Sequence, residues 1–134
     1  KINNNKLRLD LYNRRFDIYS KTLEFFIFLL SYNPNPETKE LCKNLHKDFI
    51  KAFRETKFLF DDTSKVYDLL KQMNDKAFII IGFKEQGAEL AKADPGEFNK
   101  MNTQSMEALQ WFNEAIPKLE EAMAPYLNFH KLTA

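Results

Sequence analysis

Apolar residues recur along this chain at alternating spacings of three and four, in four separate runs. In the first run, Leu9, Tyr12, Phe16, Tyr19, Leu23, Phe26 and Leu30 form one continuous helical seam. The second run repeats the pattern with Cys42, Leu45, Phe49, Ala52, Thr56 and Leu59, and the third, less cleanly, with Val66, Leu70, Met73, Ala77 and Ile80. The fourth passes through Ser105, Leu109, Phe112, Ile116, Leu119, Met123 and Tyr126. Three stretches of turn chemistry separate the runs. Asn35 stands before Pro36 as a helix cap, Asp61 and Asp62 precede Thr63 and Ser64, and Asp94 stands before Pro95 with Glu97 following. The spacing predicts helices over 5–32, 36–60, 63–92 and 95–127. Short connections between long amphipathic helices favour an all-α, antiparallel up-down-up-down four-helix bundle over 1–134 as a single domain.

The first helix carries a second apolar line, Leu11, Ile18, Phe25, Leu29 and Tyr32, about 100° or more round from its main seam. A sector that wide requires either two neighbours inside the bundle or a homodimer interface on the second line. Two places resist a purely helical reading. Residues 78–83 are rich in isoleucine and pass through Gly82, so a short buried strand competes with helix there, although it would have no second strand to pair with. Pro117 interrupts the fourth seam, which predicts a kink or a helix restart over 113–117.

Composition narrows the class without naming an activity. The chain is 44% apolar and 29% charged, which excludes a disordered polymer, and its 3 glycines leave little material for hairpins and bulges. No apolar run approaches the roughly 20 residues a membrane span needs. The single cysteine, Cys42, cannot form an internal disulfide, which suits a cytoplasmic setting. It lies on the second seam and reads as a small buried apolar residue, not a nucleophile.

Candidate chemistry is sparse. His46 and His130 are not preceded at the right spacing by the glutamates of a carboxylate-bridged di-iron bundle, and no zinc spacing is present, so neither a metal nor any other cofactor is expected. The segment 82–87 has phosphate-loop glycine spacing, but Ala88 and Glu89 stand where Lys and Ser or Thr would be required. Asp61 and Asp62 could hold a metal or act as acid and base, yet a helix junction favours capping, and no catalytic residue is assigned.

Charge is more informative. Residues 1–84 carry 16 Lys and Arg against 11 Asp and Glu, a net of +5, and residues 85–134 carry 4 against 8, a net of −4. On the second helix Lys43, Lys47, Lys51, Arg54 and Lys57 fall within about 120° of arc opposite the seam. This basic stripe is a solvated face or a site for anionic lipid, nucleic acid or an acidic partner. Only Phe58 interleaves it, so nucleic acid is the weaker of these expectations.

Three strings carry a resemblance: 6–19 (KLRLDLYNRRFDIY), 53–62 (FRETKFLFDD) and 124–127 (APYL). Together they resemble a loosely defined group of small bacterial proteins in which one N-terminal transmembrane helix leads into a helical cytosolic domain. The anchor itself is absent from this sequence. The resemblance implies a cytoplasmic domain tethered to the inner membrane upstream of Lys1. Lys1, Lys6, Arg8, Arg14 and Arg15 against Asp10 are then the basic segment beside the bilayer. The expected function is a non-enzymatic interaction module that binds a protein partner or itself as a homodimer. A soluble polyanion binder using the basic stripe and a metal enzyme using Asp61 and Asp62 are the alternatives.

Overall fold

The computed structural model describes residues 4–127. Four helices make up the fold: α1 (Asn4–Leu30), α2 (Pro36–Leu59), α3 (Val66–Ala93) and α4 (Pro95–Met123), with short 3-10 turns at Asp62–Ser64 and Ala124–Tyr126. The predicted all-α bundle is present, with no strand among the described residues. At 24 to 29 residues per helix, each rod is about 40 Å long. α1 packs chiefly on α2 and α3 chiefly on α4, so the bundle is two helical hairpins laid together.

The contacts fix the directions. Arg15 meets Leu59 and Phe25 meets Phe49, so α1 and α2 run antiparallel. Phe53 stacks on Tyr67 and His46 reaches Asn74, which sets α2 against α3 in the same sense. Lys76 lies over Trp111 and Phe83 meets Phe98 between α3 and α4. Phe26 stacks on Phe112 at 4.9 Å and closes the bundle from α1 to α4. In this register the first turns of α1 run past the ends of the other helices. Residues 4–10 are all exposed.

Two of the three junctions are built as the sequence predicts. Asn35 and Thr38 form a reciprocal capping box: the Asn35 side chain accepts from the Thr38 amide at 2.9 Å, and Thr38 Oγ1 accepts from the Asn35 amide at 2.8 Å. Asp94 accepts from the Glu97 amide at 3.1 Å, with Pro95 at the first helical position. The middle junction differs. Asp61 makes no cap, a 3-10 turn intervenes, and Lys65 takes a left-handed conformation (φ 63°) before α3 begins at Val66, later than predicted. Ser64 Oγ accepts from the Val66 amide instead.

Residues 78–83 are helical, inside α3, because only Ile80 of that run is fully buried and the flanking positions follow a helical period. α4 runs through Pro117 without a restart. Pro117 and Asn113 both face solvent, so the carbonyl that the proline leaves unpaired stays within reach of water. Pro117→Ala restores that hydrogen bond and should raise the unfolding free energy by about 1–2 kcal/mol in thermal or urea denaturation.

The seams of α2, α3 and α4 form the core as predicted, with Phe49, Leu70, Met73, Ile80, Phe112 and Leu119 fully buried. α1 does not follow its main seam. Ile18, Phe25, Leu29 and Tyr32 are buried and Leu11 packs against the core. The line expected as a candidate interface is therefore filled by the fold itself.

Candidate functional site

The inward line of α1 includes two polar residues, Arg15 and Thr22, at the 3-4 spacing of Leu11, Ile18, Phe25, Leu29 and Tyr32. Each is satisfied by backbone. Thr22 Oγ1 donates to the Ile18 carbonyl one turn back at 2.8 Å. Arg15 Nε donates to the Leu59 carbonyl at 2.7 Å, a group at the C-terminus of α2 that has no intrahelical partner. Its guanidinium carbon lies 4.9 Å from the Tyr126 ring centre and 5.6 Å from that of Phe60, and Tyr126 OH in turn donates to Asp61 at 3.2 Å. Burial lowers the Arg15 pKa while Tyr126 and Asp61 raise it, and an arginine remains charged throughout. Arg15 thus ties α1, α2 and the chain after α4 together. It is turned into the bundle and does not belong to the exposed basic end, which Lys6, Arg8 and Arg14 form; Lys1 lies outside the described residues.

With that line inside, the main seam of α1 is split: its inner edge, Tyr19, Leu23 and Phe26, packs on the core, and its outer edge faces solvent. Of its seven members only Phe26 is buried. Leu9 is 45% exposed, Phe16 43% and Leu30 49%, and Ile27 beside the seam is 56% exposed. Tyr12, Tyr19 and Leu23 are half-buried. Tyr12 stacks on Phe16, which leans on Tyr19, and Tyr19 OH donates to Glu120 of α4. Alongside, on α4, Met106 is exposed and Leu109 half-buried. No charged side chain interrupts the strip from Leu9 to Leu30. With Met106 and Leu109 its exposed apolar area is on the order of 600 Å², at the upper end of what monomeric proteins leave uncovered.

The basic stripe of α2 is also on the surface. Lys43, Lys47, Lys51, Arg54 and Lys57 are all exposed, and Phe58 beside them is 86% exposed. Lys57 Nζ sits 4.6 Å above the Tyr67 ring. Among the described residues no carboxylate stands within salt-bridge distance of the other four.

Concave sites are shallow. A recess of about 780 Å³ at the α3 start sets Lys65 and Lys118 against Asp68 and Glu121 and so balances its own charge. Asp61 and Asp62 line a smaller one of about 370 Å³. Among the described residues no three His, Cys, Asp or Glu side chains converge as a metal would require. The 82–87 segment lies within α3, where its amides are in helical bonds and cannot cradle a phosphate; Gly87 is buried with the Phe83 ring 3.3 Å from where a Cβ would stand. His130 lies outside the described residues.

His46 is held between Phe25 and Phe78, with Nε2 2.8 Å from Asn74 Oδ1. It stands one turn from Cys42 on the same face of α2, a pairing that sequence reasoning overlooked, and both line a recess of about 400 Å³ with Glu85. Burial raises the pKa of the Cys42 thiol, which disfavours the nucleophilic thiolate.

Beside it, buried Tyr32 donates to Glu85 Oε2 at 2.6 Å, and burial together with that bond holds its phenol well above the usual range. A raised folded pKa means stability that is complete below the unfolded value of about 10 and is lost as pH rises past it. Urea midpoints measured from pH 8 to 11.5 should therefore fall at the alkaline end. Tyr32→Phe should cost about 1.5 kcal/mol at pH 8 and flatten most of that fall.

No known protein family, curated protein or solved structure matches this chain. The molecule is an all-α four-helix bundle with a partly exposed apolar strip along α1 and an exposed basic ridge on α2.

Proposed function

We propose that this chain is a non-enzymatic helical interaction module that binds protein through the outward seam of α1. The carrying observation is that the outer edge of the α1 seam, Leu9, Phe16 and Leu30 with Ile27 beside them, stays exposed although its inner edge packs on α4. A 3-4 spacing of apolar residues suits a helix laid alongside at a shallow angle, so an amphipathic helix is the chemistry it fits. In this reading the projecting end of α1, with Lys6, Arg8 and Arg14, faces an anionic membrane surface and is tethered there, each exposed cation contributing about 1 kcal/mol of attraction.

A photo-crosslinking residue placed at Ile27 or Leu30 should give discrete protein adducts in cells, and one placed at Lys47 should not. Absence of adducts from Phe16, Ile27 and Leu30 alike would defeat the reading. The tether is separable: the full-length gene product should sediment with membranes, and a fully soluble product removes the tether alone.

The exposed cations of α2 beside Phe58 favour a second reading, a polyanion binder. Single-stranded DNA would then bind with an affinity that falls steeply between about 50 and 200 mM salt and is abolished by K43E/K47E/K51E. Salt-independent or undiminished binding counts against it.

A further inference from the structure

The geometry points to a second copy of this chain as the occupant of the α1 seam, in an antiparallel two-fold pair centred between Tyr19 and Ser20. This rests on the interaction-module reading and narrows it to one partner.

The sequence of the seam is complementary to its own reverse. About that centre Leu9 faces Leu30 of the other copy, Tyr12 faces Ile27 and Phe16 faces Leu23, so these two rings each meet an aliphatic side chain, and Tyr19 faces Ser20. Ser20, small and uncharged, stands where two helices cross closest. Asn13, Ser20 and Ile27, which flank the seam on its solvent side, carry no charge, and the exposed acids Asp10, Asp17 and Glu24 stand one row further out.

Charge selects the antiparallel sense. Lys6, Arg8 and Arg14 lie at one end of α1 and Glu24 is the only ionisable residue after Lys21 in that helix. A parallel pair would set the two basic ends side by side. The antiparallel pair separates them by the length of the bundle. Area agrees: the uncovered strip with Met106 and Leu109, on the order of 600 Å² per copy, approaches the roughly 800 Å² per partner of a standard specific interface. An interface slightly below that size belongs to the reversible class.

Sedimentation equilibrium on the whole chain, from about 1 to 200 µM, tests this. The wild type should pass from monomer to dimer, and F16E or I27E should weaken the dimer about 100-fold or more, since each puts two unpaired carboxylates into it. F58E, on the exposed face of α2, should leave it unchanged. Both seam residues are exposed in the monomer, so circular dichroism should show the variants folded. For orientation, a mixture of L9C and L30C proteins should form the mixed disulfide faster than L9C forms a disulfide with itself. A wild type that stays monomeric at 200 µM overturns self-pairing, as does a dimer insensitive to both seam variants or a faster L9C self-disulfide. A monomer that still gives adducts from Ile27 in cells sinks only the second copy as partner, whereas a monomer without adducts sinks the interaction module too.

Discussion

Phe25→Ala should lower the unfolding free energy by about 3–5 kcal/mol in urea or guanidinium denaturation, the largest loss expected of any single truncation on α1. Its side chain is fully buried, 5.1 Å from the His46 ring in a near-parallel stack and 5.3 Å from Phe49, so removal opens a cavity between α1 and α2 and breaks two ring contacts. Aromatic pairs contribute about 0.5–1.5 kcal/mol beyond burial, which places this site toward the upper part of the range. A domain of this size holds only about 5–15 kcal/mol in total, so the variant should be partly unfolded well below the wild-type melting temperature. Phe16→Ala, on the outward seam of the same helix, provides the comparison and should cost less than about 1 kcal/mol in the monomer. If the two truncations cost the same, α1 is not oriented as described here.

Arg15→Met should cost about 2–3 kcal/mol although the replacement keeps most of the apolar stem. The loss has three sources. The Leu59 carbonyl loses a charged donor at 2.7 Å, the C-terminal end of α2 loses a cation next to its dipole, and the Tyr126 and Phe60 rings lose the guanidinium they face. Arg15→Lys separates these. It keeps the positive charge near the helix end but loses the Nε donor and the planar face, and should recover less than half of the stability. The readout is chemical denaturation, with amide exchange at the end of α2 as a local probe: protection there should fall in Arg15→Met more than in the middle of α3. A lysine variant as stable as wild type would reduce the role of Arg15 to charge alone.

Most of the architecture was readable from the pattern, and the failures have particular causes. Helix number, order and two of three caps followed from local rules, because a proline without an amide, a carboxamide before it and a 3-4 apolar period act within a few residues of one another. The junction at Asp61 misled because an aspartate before a helix can be used elsewhere, and here Tyr126, 65 residues further along, takes its carboxylate. The proximity of Cys42, Tyr32 and Glu85 was likewise beyond local reach, since it joins three helices.

α1 is the instructive case. It carries two apolar lines, and counting apolar residues favours Leu9 to Leu30, which is unbroken, over the line interrupted by Arg15 and Thr22. The fold buries the interrupted one. Hydrophobic counting penalises a polar residue on a buried face, but that penalty vanishes when the group finds a hydrogen-bond partner, and the Leu59 and Ile18 carbonyls supply those partners. Local pattern is enough for four amphipathic helices joined by tight turns, and for an α1 with more apolar surface than one neighbour covers. Which of its two faces turns inward was decided only by the tertiary structure, because the partner of Arg15 stands 44 residues away and exists only once α2 is packed beside it.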